Sequence, residues 1–250
     1  LVKALNREFG GYQSKTAEEF LKFVQKRGTE ISKNLIEQDI AVVSTLALME
    51  TFPAQKSHAD EKLKTVELAY VNPGIAEATY PAIRVMGWLP EVNIYRLPDD
   101  YPAENVAGNL LYWQTYARAN QILVQVMSDA GVNILAGTDA NVPVMVPGFS
   151  LHEELRSLNQ AGMSLAQTLR SATAAPADSM ELNSGQVKVG YQADLLLLTA
   201  NPLIDIKNTQ SIDAVINNGR WYNRERLDHM LSAVKQANEN SRKKSITAYE

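Results

Sequence analysis

The sequence predicts an α/β protein that ends in a small β unit. Three observations carry this expectation. Two short, β-branched, apolar runs, Ile40 to Leu46 and Val132 to Gly137, read as parallel strands buried on both faces. Each run follows a long stretch of helical periodicity. After Ala177 the pattern changes to short alternating and apolar runs, punctuated by an Asn218-Gly219 turn.

The elements can be justified in order. Thr16-Ala17-Glu18-Glu19 has the form of a capping box, and Leu21, Val24, Ile31 and Leu35 follow a helical period, with Gly28 expected to break it. The strand at 40–46 comes next. Residues 50–103 are too long for a plain loop and are expected to carry short helices, one of them over Ala59 to Tyr70. Pro73, Pro81, Pro90, Pro98 and Pro102 punctuate this stretch, and Pro102 suits a first helical turn. From Glu104 to Ala130 the apolar stripe Val106, Leu110, Trp113, Ala117, Val124 and Met127 predicts a long helix, with Gly131 as its C-cap. Behind the strand at 132–137 come a Pro- and Val-rich loop and two more capping-box patterns. Ser150 to Glu153 opens a helix to Gly162, and Ser164 to Gln167 opens one to about Thr173. The β unit comprises the alternating run Gly185 to Gly190, Leu195 to Leu198, and a hairpin from Ile212 to Tyr222. A helix from Arg224 to about Lys235 closes the chain, and the polar residues from Gln236 onward are expected to fray.

Composition limits the function. The chain has 250 residues, 24 Lys+Arg against 28 Asp+Glu, and a net charge of −4. That balance gives no basic footprint for nucleic acid. No apolar run approaches the ~18 residues of a membrane span. The absence of Cys excludes disulfides, thiolate metal sites and a Cys nucleophile, but does not distinguish a cytoplasmic from a periplasmic location. The chain opens Leu1-Val2-Lys3-Ala4, so any targeting segment is expected to be absent or already removed. The length matches one (β/α)8 barrel, yet only two parallel strands precede residue 140.

There is no phosphate-binding glycine loop, no Gly-x-Ser-x-Gly elbow, no His-Glu-x-x-His and no His-x-His. The feature that stands out is Asp139, directly after the second strand in Gly137-Thr138-Asp139-Ala140. Residues at the C-terminal ends of parallel strands face the mouth of the fold. A carboxylate there can ligate a cation or manage a proton. It can equally cap the next turn.

From Gly131 to about Leu231 the chain resembles the C-terminal portion of the metal-dependent amidohydrolase superfamily, nearest its imidazolonepropionase- and prolidase-like branch. The residues that carry the resemblance are Gly137-Thr138-Asp139-Ala140, Gly148 to Leu155, Ala161 to Ser164, Ala172 to Ala177, Gly185-Gln186-Val187, Gly190 to Leu195, Asn201-Pro202-Leu203 and Asn218-Gly219-Arg220. Each piece is weak alone, and the string is specific in this order.

The resemblance implies the C-terminal part of a (β/α)8 TIM barrel plus strands of a small appended β-sandwich. Residues 1–177 would be the last strand–helix units, 178–222 part of the sandwich, and 223–250 a helix and tail. The implied activity is hydrolysis of a C–N bond in a small molecule (an amide, a peptide or a cyclic amide) by a metal-activated water, with one or two divalent ions, most plausibly Zn. Asp139 would be metal ligand and proton carrier. Asn141 and Met145, in the loop where family pockets meet substrate, can touch it or pack the loop; Thr45 can line the mouth or end its strand, and His152 can touch substrate or pack behind the site.

The family's His-x-His, its bridging Lys or Glu and its two further His ligands have no counterpart here. The chain is therefore expected to be the back part of a longer protein, with the other ligands outside it. Expected partners are the small-molecule substrate, the missing N-terminal portion and, in a homo-oligomer, a second copy. A non-catalytic scaffold of this fold and a small binding module are the alternatives. Ser44 can line the mouth or merely end its strand. Arg84 could bind an anion. His58, His229, Trp88, Trp113 and Trp221 are expected to pack or sit at the surface.

Overall fold

The computed structural model describes residues 1–79 and 86–242. Arg84 and Pro81 lie outside them. The first helices are α1 (Val2–Phe9) and α2 (Ala17–Glu37). α1 stops at Gly10, whose φ of 92° gives the left-handed cap that a side chain would disfavour. α2 is not capped by Thr16. That hydroxyl turns back to Gln13, accepting its backbone N–H at 2.9 Å, and so closes a preceding turn of 3-10 helix, Ser14–Thr16.

Gly28 does not break α2. It is a contact point for α6 (Ala103–Ala130), where an added Cβ would stand 2.7 Å from the Val126 side chain and 3.0 Å from Leu123. A glycine in mid-helix costs about 1 kcal/mol of propensity. Here it lets two long helices approach closely, around a core that includes Phe20, Val24, Leu123 and Met127.

The two predicted strands form and pair in parallel, but both are shorter than expected. β1 (Val42–Ser44) lies beside β2 (Ile134–Ala136), with Val42 opposite Ile134 and Ser44 opposite Ala136. One face packs on the helices through Val42, Ile134 and Ala136. The expected burial on both faces is not found: Val43 is 64% exposed. Successive strand residues point to opposite faces, so Val43 marks the face that no described element covers.

After β1 the chain enters α3 (Leu46–Ser57) at once. The helix expected over Ala59 to Tyr70 is only α4 (Ala59–Leu63), a bend, and a 3-10 turn at Leu68–Tyr70. α5 (Pro73–Ala76) follows, with the Asn72 side chain accepting the Gly74 N–H. Pro102 takes the N-cap of α6 rather than its first turn, and Gly131 caps the other end at φ 89°.

α7 (Phe149–Gln160), α8 (Leu165–Ser171) and α9 (Ala174–Ser179) complete the helical layer. The Ser164–Gln167 capping box is present as expected. The Ser150 box is not, because α7 starts two residues earlier than a Ser150 cap requires and buries Ser150 inside its first turn. The expected boundary after residue 177 falls inside the last turn of α9.

The β unit is an antiparallel sheet of β3 (Leu195–Leu198), β4 (Ile212–Asn217) and β5 (Arg220–Asn223), in that order. Asn218 and Gly219 turn the hairpin, both at positive φ. The alternating run 185–190 is not a strand. Gly185 instead lies against the backbone of Thr173, where a Cβ would be 2.4 Å from its carbonyl oxygen. Val187 and Val189 are left exposed. Of the tail expected to fray, Gln236 to Arg242 is ordered, and the residues after it lie outside the described ones. α10 (Arg224–Ser241) runs past Lys235 and docks on the 68–77 segment, with Asn238 donating to the Ala69 carbonyl and Arg242 to Glu77.

Candidate functional site

The C-terminal ends of β1 and β2 bring Ser44 and Thr45 against Gly137, two residues before Asp139. Gly137, just past β2, donates its N–H to the Ser44 carbonyl at 2.7 Å. A Cβ on Gly137 would be 2.6 Å from Val43 Cγ1, 2.7 Å from the Ser44 carbonyl oxygen and 3.5 Å from Thr45 Cγ2. The glycine thus lets the two strand ends touch and sets Thr45 beside the segment that carries Asp139. Asp139 is exposed, and no described residue hydrogen-bonds or ion-pairs with its carboxylate. Its backbone carbonyl accepts the Val142 N–H at 3.1 Å, so the turn is closed by main chain and not by an Asx side-chain bond.

The loop after Asp139 is strained. Asp139, Asn141 and Val144 all have positive φ, of 48°, 78° and 68°. For a β-branched residue such as Val144 that is a costly conformation, held only where the surroundings over-determine it. Here they do. Asn141 donates its N–H to the Met145 carbonyl at 3.0 Å. Its own carbonyl accepts from Trp88 Nε1 at 3.3 Å. Trp88 is fully buried, against Val71, Ala76 and Val146. Asn93 donates to Gln55 Oε1 at 2.9 Å, tying the same insertion to α3. The long 50–103 connection therefore braces the loop, a role that its sequence does not reveal.

The other expected contacts divide. Asn141, two residues after Asp139, is exposed, and Thr45 is half-buried. Met145 is instead buried, packed with Ala47, Leu48 and Phe52. His152 lies on α7, where its Nδ1 is 2.9 Å from Thr209 Oγ1. That hydroxyl already donates to the Ile206 carbonyl, so the imidazole nitrogen is the donor. Burial holds His152 below the ordinary imidazole range, against the pull of Glu153. It is a neutral strut between α7 and the turn at Ile206–Gln210. Ser44 is buried. A cavity of about 380 Å³ between α3 and α7 is lined by Met145, Val144 and Ser150 but not by Asp139, and is a separate feature.

Two residues near the site escaped the sequence reading. Tyr95 is half-buried, and its phenol is pushed up by burial and by the negative charge of Asp139. Glu154 is fully buried on α7 and accepts the Ala47 N–H at 2.7 Å with one oxygen, while its Oε1 has no partner. Burial pushes this carboxyl up to about 7, against the stabilising Ala47, Ser44 and Leu46 groups. A legible signal existed: a Glu on the inward stripe Ser150, Glu154, Ser157 of an amphipathic helix.

Asp139 suits a divalent cation as one oxygen ligand, being exposed at a strand end and without a partner among the described residues. A protein Zn site needs at least three protein ligands. Among the described residues, no three His, Asp or Glu side chains come together to hold a metal ion. No described helix is long and apolar enough to cross a membrane.

A model of the amidohydrolase family matches residues 16–222. Among solved structures, a bottromycin amidohydrolase is 20% identical with a TM-score of 0.52, over 80% of this chain and 40% of its own. An ochratoxinase from A. niger is 21% identical with a TM-score of 0.48, over 78% and 34%. A Xaa-Pro dipeptidase with bound methionine is 19% identical with a TM-score of 0.42, over 80% and 48%. The chain thus spans between a third and a half of the length of these structures. No curated protein matches it.

Proposed function

Because this chain belongs to the amidohydrolase family, we propose that it forms the closing part of a metal-dependent hydrolase that cleaves a C–N bond of a small molecule, an amide, peptide or cyclic amide. The observation that carries this reading is Asp139. Its carboxylate is exposed, has no partner among the described residues, stands at the C-terminal end of a parallel strand, and is held on a strained loop braced by a buried tryptophan. Strain and bracing at a strand end are hallmarks of a positioned functional group rather than a casual turn.

In this reading Asp139 is one metal ligand, and the remaining ligands come from residues outside this chain. When bound, a divalent metal, most plausibly Zn, supplies Lewis-acid polarisation of the substrate carbonyl and an activated water. The part of this chain is proton handling and orientation. Asp139 takes the proton released on attack and delivers it to the leaving amine. Thr45 and Asn141 flank the substrate, while Met145 and His152 hold the loop and α7 behind them.

The same reading assigns residues 1–177 to the last strand–helix units of a (β/α)8 barrel, 178–222 to strands of a small β-sandwich, and 223–250 to a helix and tail. Two features support it. The β1–β2 pair leaves Val43 uncovered, as an inward face awaiting further strands would. The β unit leaves Leu197 and Trp221, which share one face, half exposed, as one layer of a sandwich would.

The test is hydrolysis by the full-length protein, with and without added Zn²⁺, of a panel of Xaa-Pro dipeptides, N-acyl amino acids and cyclic amides. Metal-stimulated release of amine from one class supports the proposal. A protein that stays inert to every class with Zn²⁺ supplied favours the scaffold reading.

A further inference from the structure

The junction between β1 and α3 has an unusual cap. Thr45 occupies the N-cap of α3, yet its hydroxyl makes no capping bond. The first turn of a helix leaves backbone N–H groups without partners, and a Thr at this position normally supplies one acceptor itself. Here the acceptor comes from another helix. Glu154 reaches from α7 and takes the Ala47 N–H at 2.7 Å, in a fully buried setting. A second bond closes the same pair of helices: Ser157, one turn further along α7, donates to Glu50 of α3 at 2.6 Å. Gln121 of α6 donates to the other Glu50 oxygen at 2.6 Å.

We propose that Glu154 is a positioning residue for the site: by capping α3 in place of Thr45, it frees the Thr45 side chain and fixes the β1 end against Gly137, and hence the approach of Asp139. The idea rests on the hydrolase reading for its purpose, though not for its geometry. The path is short and continuous. Glu154 holds Ala47, whose turn begins at Thr45. Thr45 and Ser44 meet Gly137, and Asp139 follows two residues later.

The groups that face Glu154 set its charge. From the β1–α3 junction it meets the Ser44 hydroxyl and the Leu46 and Ala47 N–H groups, all favouring the carboxylate; Glu50 of α3 opposes it. Its unpartnered Oε1 has no compensating donor. A glutamine can still accept the Ala47 N–H but cannot ionise, so Glu154→Gln should preserve the cap and remove its pH dependence.

The experiment is amide hydrogen exchange on the full-length protein, wild type against Glu154→Ala and Glu154→Gln, from pH 6 to 8.5. The expected result is exchange at least tenfold faster in Glu154→Ala, both at residues 45–48 and at 137–142, with Glu154→Gln restoring both to within about threefold. Beyond the intrinsic chemistry of exchange, wild-type protection at 45–48 should change across neutral pH, and that of Glu154→Gln should not. Faster exchange at 45–48 alone, with 137–142 unchanged, overturns the proposal, as does equal protection in all three proteins. If Glu154→Ala does not fold, Ser44→Ala replaces it, with the same two segments read at a smaller, threefold effect. Where the wild type hydrolyses a substrate, Glu154→Ala should lower kcat at least tenfold and KM by much less. A wild type without hydrolysis would sink the hydrolase reading and leave the exchange result to judge Glu154.

Discussion

Trp88 donates its indole N–H to the backbone carbonyl of Asn141 at 3.3 Å, from the middle of an insertion that shows no regular pattern. The bond joins that insertion to the loop that carries Asp139. Replacing Trp88 by Phe removes the donor and part of a fully buried ring. The lost hydrogen bond and the small cavity together should cost about 1–3 kcal/mol. Urea unfolding of the full-length protein measures the loss. Exchange of the amides at 139–146 should speed up more than exchange in α2 or α6, because the brace acts on the loop.

Gly137 is expected to tolerate no side chain. Alanine there would press on Val43 Cγ1, which can rotate, and on the Ser44 carbonyl, which is backbone and cannot move alone. Overpacking of this kind costs about 1–3 kcal/mol. Gly137→Ala should therefore lower the unfolding midpoint. It should also lower hydrolysis far more than the stability loss explains, because the strand end moves with Asp139 on it. A variant of normal activity would show that the strand ends need not touch.

Stability should depend on pH through Glu154. Its carboxyl is raised from the usual range to about 7 by burial, so the folded protein binds a proton more tightly than the unfolded chain. The contribution is fully present below pH ~4.5 and is lost as pH rises through 7, to a total of about 3 kcal/mol. Glu154→Gln should remove this slope and be the more stable protein at pH 8. His152 has the opposite sign. Held neutral by burial, it contributes stability above the unfolded imidazole range and loses it on acidification. Denaturation midpoints of both proteins across pH 5–8.5 check this. A wild-type midpoint that does not fall between pH 6 and 8 relative to Glu154→Gln contradicts the buried, unpaired state of Glu154.

The sequence exposed the frame of the molecule better than its joints. Strong periodicity and terminal glycines located α6 and its cap at Gly131, and the Asn218-Gly219 pair located the hairpin. Those signals are local, so the chain cannot easily override them. Gly28 misled because helix-breaking is a local tendency, while close approach of α6 is a tertiary demand. The Thr16 and Ser150 patterns misled for a related reason: one hydroxyl found a partner behind it, and the other was buried when α7 began two residues early. In the site, Asp139 could be singled out because a carboxylate at a strand end is chemically conspicuous. Trp88 could not, since it works through a contact distant in the chain, and for Glu154 only its place on the inward stripe of α7 was legible, not its partner in α3. Met145, whose place in the loop allowed either substrate contact or loop packing, is buried beside Ala47, Leu48 and Phe52.

The most direct test of the account is the metal content of the full-length protein, wild type against Asp139→Asn, after loading with Zn²⁺ and removal of excess. Asparagine keeps the size and loses the charge and the proton-accepting oxygen. The account predicts that the wild type retains one or two ions per chain and that Asp139→Asn retains fewer, with hydrolysis reduced by about 100-fold or more and circular dichroism unchanged. An Asp139→Asn protein that holds as much Zn²⁺ and hydrolyses as fast as the wild type would contradict it.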